Sequence, residues 1–132
     1  MRYLLDTHVF LWTMIADSRI EPIREILIDP GSEVFVSAAS LWEIEIKHAR
    51  GKLPISSDEA IKALSKQSFR ELPVTARQIP FVTKLVQAPG MPPHRDPFDN
   101  LLVAQAKAEG LTFLTADRLI AGYQEPCVRY IL

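Results

Sequence analysis

The chain has 132 residues, 48% of them hydrophobic, which suffices for one good core and falls short of two ordinary domains, so a single domain over 1–132 is expected. Its 15 basic and 16 acidic side chains leave a formal charge of -1, which excludes the global basic field many nucleic-acid binders carry, although bound cations and local Lys or Arg supply positive potential where a phosphate sits. The lone Cys127 excludes an internal disulfide and paired CxxC zinc halves, and no run approaches the roughly 20 apolar residues of a membrane span.

Asp6 and His8 interrupt the apolar N-terminus and no small-residue cleavage site follows, so the expectation is a reducing cytoplasm and no membrane. Residues 2–5, RYLL, read as a buried strand ending at Asp6, a position at which open α/β sheets place ligands. A short helix over 9–15 follows, then a helix over 21–29 with Ile23, Ile26 and Leu27 at helical spacing and a stop at Asp29-Pro30-Gly31. A strand over 33–36 leads into Ser37-Ala-Ala-Ser40, which opens the amphipathic helix SLWEIEIKHARGK with Leu41 and Ile44 on its apolar side, Glu43 in its first turns and Gly51 as its stop. Helix 58–68 directs Ile61 and Leu64 inward, and Leu72-Pro73-Val74 reads as an edge segment before a Thr75-led helix that Pro80 kinks or restarts.

Residues 88–95, APGMPPHR, give the clearest loop signal. Asp96 then stands as N-cap, Pro97 as first helical residue and Gly110 as C-cap of the helix that carries Asp99 and NLLVAQAKAEG. A strand over 111–115 puts Asp117 just past its end, and a last strand over 127–131 closes the pattern. Strands alternating with helices predict an α/β fold with parallel pairing through right-handed crossovers.

Four acids, Asp6, Glu43, Asp99 and Asp117, thus fall at strand ends or in first helical turns, and a parallel sheet brings such positions to one edge. Carboxylates converging without matching cations raise one another's pKa, and a hard divalent ion is the simplest compensation; oxygen-only ligands favour Mg²⁺ or Mn²⁺ over zinc. Each acid also has a structural explanation. Glu43 lies three residues after Ser40, a capping-box spacing, and four before Lys47; Asp96 fits an N-cap better than a ligand. Asp99 suits a helix N-terminus, Asp117 the cap of a following helix, Asp6 the start of a turn. The shared edge is what the structural explanations leave unexplained.

His8 stands near Asp6 as a proton shuttle or a solvated residue, and His94 lies in the loop before DPFD. Thr7 and Thr115 flank two of the acids, and their hydroxyls are placed to orient carboxylates. No HExxH, Walker A, GxGxxG or GxSxG segment occurs in a suitable context; Cys127 reads as core rather than nucleophile, and Trp12 and Trp42 as packing or interface residues rather than base-stacking platforms.

These motifs resemble the PIN-domain ribonucleases, and within them the VapC-like toxins of type II toxin–antitoxin pairs. LLDTHVFLW at 4–12 is similar to the family's opening strand and first acid, and VSAASLWEIEIKHARGKL at 36–53 to its second acid helix. HRDPFDNLLVAQA at 94–106 is similar to its third-acid segment, and LTFLTAD at 111–117 to its last acidic strand. The resemblance covers essentially the whole chain. It implies a PIN-like three-layer α/β/α sandwich with a central, mainly parallel sheet of four to five strands, a catalytic and metal-holding quartet of Asp6, Glu43, Asp99 and Asp117, a homodimer, and an inhibitory cognate antitoxin. Asn100 departs from the Arg expected there.

The expected activity is hydrolysis of RNA phosphodiesters with Mg²⁺ or Mn²⁺, Asp6 and Asp99 holding the ion directly and Glu43 and Asp117 completing one or two positions partly through water. Lys47, Arg95 and Arg118 are the candidates to stabilise the phosphate. Hydrolysis by an activated water leaves 5'-phosphate and 3'-hydroxyl ends. The alternative is a non-catalytic, metal-binding receiver-like signalling module, which would want adjacent acids after the first strand and a Lys near the last; Thr7 follows Asp6 and no such Lys is evident. A haloacid-dehalogenase-type phosphatase would need an acid where His8 stands.

Overall fold

The structure is a computed structural model that describes residues 1–90 and 96–132. Four apolar-flanked runs and one C-terminal run form the strands β1 (Arg2–Leu5), β2 (Glu33–Ser37), β3 (Arg70–Leu72), β4 (Thr112–Thr115) and β5 (Val128–Tyr130). They make one sheet in the order β3-β2-β1-β4-β5 with every pairing parallel; Leu4 at the centre sits beside Phe35 on one side and Phe113 on the other.

Side chains alternate along each strand, so the central ones feed two cores. Tyr3, Leu5, Val34, Val36 and Leu114 pack with Val9, Phe10, Ala60 and Leu64 of the helices α1 (Thr7–Met14) and α4 (Ser57–Gln67). Leu4, Phe35 and Phe113 pack on the other face with Leu102, Val103 and Ala106 of α5 (Pro97–Glu109) and Ile120 of α6 (Arg118–Ala121). Helix α3 (Ala38–Ala49) contributes Ile44 to the first core and Ala39 to the second. The expected three-layer α/β/α sandwich is what forms.

The strand order also removes the receiver-like alternative, whose fold has the order 2-1-3-4-5. Here the chain lays β2 and β3 to one side of β1, then returns to place β4 and β5 on the other. The switch point therefore lies between β1 and β4, where the crevice of an open parallel sheet forms outside the strands' carboxyl ends.

Several boundaries differ from the sequence reading for local reasons. The helix expected over 21–29 is a 3-10 segment (Ser18–Ile23) capped by Asp17, with Pro22 inside it, followed by α2 (Arg24–Ile28). The Thr75-led element is also 3-10 (Ala76–Lys84), with Pro80 inside and a Thr75–Gln78 capping box. Ile61 is half exposed; Ala60 and Leu64 are the residues that α4 buries. Asp96, Pro97 and Gly110 take the expected cap positions, Gly110 at φ 69°, a left-handed conformation that favours glycine. No helix among the described residues is long and apolar enough to cross a membrane.

Candidate active site

Asp6 leaves the end of β1 and caps α1: its Oδ1 accepts from Thr7 N–H at 2.7 Å and its Oδ2 from the Thr115 hydroxyl at 2.8 Å. Thr115 Oγ1 in turn accepts from Asp117 N–H at 3.0 Å, so one hydroxyl at the end of β4 ties the two acids across the switch point. Asp6 is buried, and burial pushes its carboxyl above its ordinary 3.8; Thr115, Thr7 N–H and His8 pull it down, and the charge of Asp117 pushes it further up. Asp117 is half-buried and caps α6, its Oδ1 accepting from Leu119 N–H at 2.8 Å.

Asp6, His8, Trp12, Ala116 and Asp117 line a shallow cleft of about 230 Å³. His8 is exposed at its mouth, and the Arg19 guanidinium lies 4.1 Å from the centre of the Trp12 ring, held there by Asp17. A larger concavity of about 380 Å³, lined by Ile20, Arg24, Leu27, Ile28 and Phe69 among others, contains none of the four acids.

Glu43 reaches this edge from α3. The capping box expected between Ser40 and Glu43 does not form: the cap is Ser37, whose Oγ accepts from Ala39 N–H at 3.0 Å, because β2 runs through Ser37 and turns into the helix without a loop. Ser40 is instead buried one turn before Glu43 and accepts from the Thr7 hydroxyl at 2.8 Å, which joins α3 to α1 beside Asp6. Of the two flanking threonines, Thr115 orients a carboxylate through its hydroxyl and Thr7 through its backbone. Glu43 is buried; its Oε2 pairs with Lys47 Nζ at 2.9 Å, and its Oε1 has no hydrogen-bond partner among the described residues.

Asp99 lies in the first turn of α5, its N–H donating to Asp96 Oδ1 at 3.2 Å. The Tyr123 hydroxyl, raised chiefly by burial and further by the charge of Asp99, donates to Asn100 Oδ1, so the side chain standing in place of the expected Arg is held by a neutral partner. Helices α3 and α5 meet edge-to-face through Trp42 and Phe98, ring centroids 5.2 Å apart, the neighbours in sequence of Glu43 and Asp99. Trp42 is nonetheless 63% exposed, an exposure its sequence reading as a packing or interface residue does not specify. Tyr123 is buried, and nothing in the sequence signals its contact with Asn100. Arg118 is exposed on α6; His94 and Arg95 lie outside the described residues.

The fold thus brings Asp6 and Asp117 into one cleft, with Glu43 linked to it through Thr7 and Ser40 and Asp99 placed by α5 against α3. Among the described residues no three His, Cys, Asp or Glu side chains stand close enough to hold an ion in common. The donor chemistry nevertheless fits a hard divalent cation: the groups are carboxylate oxygens, and one of them, Glu43 Oε1, is buried and lacks the partner such an atom ordinarily has. Cys127 is half-buried with its thiol pushed up by burial and by Glu125, the opposite of an activated nucleophile.

The family model of the PIN domain matches residues 3–125. The chain belongs to the PIN domain family. It is by that membership a hydrolase of the nuclease type, acting on nucleic acid. No curated protein sequence matches it significantly. Among solved structures, the PIN fold described above is shared with VapBC2 of Rickettsia felis bound to a promoter DNA fragment (13% identity, TM-score 0.70) and with a toxin–antitoxin complex of Klebsiella pneumoniae (12%, 0.64). VapBC-1 of nontypeable Haemophilus influenzae is a further likeness (18%, 0.62), and in all three matches 98% of each chain is covered.

Proposed function

We propose that this PIN chain is a cytoplasmic endoribonuclease dependent on Mg²⁺ or Mn²⁺, and the toxin of a toxin–antitoxin pair. In this reading Asp6, Glu43, Asp99 and Asp117 hold the metal and carry the catalysis, the chain forms a homodimer, and a cognate antitoxin inhibits it. The single observation that carries the metal reading is Glu43 Oε1, a buried carboxylate oxygen without a partner on the edge where the sheet presents Asp6 and Asp117. The toxin reading is supported by the toxin–antitoxin structures in each of which one chain shares the fold over nearly its whole length.

Asp6 and Asp99 would hold the ion most directly, with Glu43 and Asp117 completing its surroundings. When bound, a divalent cation supplies an acidified water for attack and neutralises charge on the phosphate. The chain's own residues do the positioning. Thr115 fixes Asp6 Oδ2 and the Asp117 backbone together, Thr7 N–H fixes Asp6 Oδ1, and the burial of Asp6 strengthens its attraction to any cation at the cleft. Arg118 is exposed next to Asp117 and is a described cation available to meet a phosphate, whereas Lys47 is paired with Glu43 before an ion arrives.

The test is cleavage of a panel of structured RNAs by the purified protein with Mg²⁺ or Mn²⁺, with EDTA, and with Asp6→Asn. The expected products carry 5'-phosphate and 3'-hydroxyl ends and vanish with EDTA and with the substitution. Products ending in 2',3'-cyclic phosphate, or cleavage indifferent to both treatments, would overturn the proposal.

A further inference from the structure

Lys47 has two roles open to it on this edge. A phosphate contact needs a free ammonium, and the structure gives it a different partner: Nζ sits 2.9 Å from Glu43 Oε2, in the favourable Glu-to-Lys i,i+4 direction along α3. Glu43 is 7% exposed, and a carboxylate removed from water to that degree without a counter-charge is strongly disfavoured. The pair therefore neutralises Glu43 from one side and leaves Oε1, on the other, unpartnered.

We propose that Lys47 is a resident counter-cation for Glu43 that holds the carboxylate in place before a divalent ion arrives, and competes with that ion once it does. The inference rests on the metal reading of the site given above. A divalent ion at Oε1 shares one carboxylate with the ammonium at Oε2, so the two positive charges repel at close range. Lys47 is equipped to yield, since its side chain is 40% exposed and ends a flexible stem beside solvent. Lys47 is thus a positioning residue whose effect is read in metal affinity: the protein accepts weaker binding of the ion in exchange for a Glu43 that stays ordered without it.

The experiment follows thermal unfolding and Mn²⁺ binding, the latter by calorimetric titration, for the wild type, Lys47→Met, Lys47→Arg and Glu43→Gln. In EDTA, Lys47→Met should melt below the wild type, because Glu43 is then buried without a counter-charge. Saturating Mn²⁺ should raise its midpoint by more than it raises the wild type's, with binding tighter on the order of tenfold. Lys47→Arg keeps the charge and should respond like the wild type. If Lys47→Met lacks a cooperative melt in EDTA, Lys47→Gln, whose amide can still donate to Oε2, carries the same expectation for Mn²⁺ affinity.

A variant without the Lys47 charge that binds Mn²⁺ no more tightly than the wild type overturns the competition. Mn²⁺ binding that is the same in Glu43→Gln as in the wild type overturns it too, while leaving the ion to the other acids. No Mn²⁺ binding by the wild type or any variant overturns the metal reading and this inference with it.

Discussion

Two buried polar clusters hang from neighbouring strands of this sheet, and they are built on opposite principles. At the end of β2 the Ser37 hydroxyl donates to Gln105 Oε1 at 2.6 Å, Gln105 Nε2 donates to Gln78 Oε1 at 3.1 Å, and Gln78 Nε2 donates to Glu109 Oε2 at 3.1 Å and to the Pro73 carbonyl at 3.2 Å. Gln78 Oε1 also accepts from Thr75 N–H, so both glutamine amides are satisfied on both sides. Around the ends of β1 and β4 lie instead two buried carboxylates, Asp6, held by the Thr115 hydroxyl and pushed toward its neutral form by burial, and Glu43, paired with Lys47 and left with an unpartnered oxygen. A satisfied amide network fixes packing and asks nothing of the solvent. An incompletely satisfied acidic one stores an electrostatic cost that a cation can relieve.

Asp6 should break the comparison most sharply. Asp6→Asn is expected to lower RNA cleavage about 10³-fold, roughly 4 kcal/mol of transition-state stabilisation. Its effect on folding should run the other way. The Asp6 carboxyl is raised above its ordinary 3.8 in the folded chain, so between that value and the raised one the folded state binds more protons than the unfolded. Stability therefore falls as pH climbs through that window, and the loss persists at neutral pH. Urea unfolding in EDTA from pH 4 upward should show the decline in the wild type and a flatter profile in Asp6→Asn, which should be at least as stable at pH 7. A variant markedly less stable than the wild type at pH 7 would make Asp6 a structural acid and erase the contrast between the clusters.

Gln105→Leu makes the matching cut in the satisfied cluster. It leaves the Ser37 hydroxyl without its acceptor and takes from Gln78 Oε1 one of its two donors, and about 2–3 kcal/mol of stability should be lost. Mn²⁺ affinity should not move. A metal-affinity loss of tenfold or more with little destabilisation would show that this cluster serves the site after all.

What could be read from sequence follows the same division. The caps of α5 were legible because Asp96, Pro97 and Gly110 act through chemistry local to three or four residues, and the strand ends at Asp6 and Asp117 were legible because apolar runs stop there. The choice between Ser37 and Ser40 as cap was not, because it turns on where β2 stops pairing with β3, and Ser37 still pairs with Leu72. The role of Ser40 depends on Thr7, 33 residues away, and that of Gln105 on Gln78, 27 away. Position along the chain thus nominated the acids, while the missing partner of Glu43 Oε1 and the exposure of Trp42 emerged only when three helices were set against one sheet edge.

The smallest expected effect concerns Asp96, which lies between the two kinds of acid. Its Oδ1 accepts from Phe98 N–H at 2.9 Å and Asp99 N–H at 3.2 Å, so it performs a cap's work on the backbone that carries Asp99. It is also exposed, unlike Asp6 and Glu43, and an exposed acid can cap a helix without the desolvation that marks the other two. Asp96→Ala should therefore cost about 1 kcal/mol in unfolding and reduce cleavage only as far as Asp99 loses its hold, whereas Asp96→Ser, which keeps an oxygen for the same two donors, should restore both. If Asp96→Ser melts like the wild type yet cleaves RNA a hundredfold more slowly, the carboxylate charge itself is needed, and Asp96 belongs with the acidic cluster rather than with the caps.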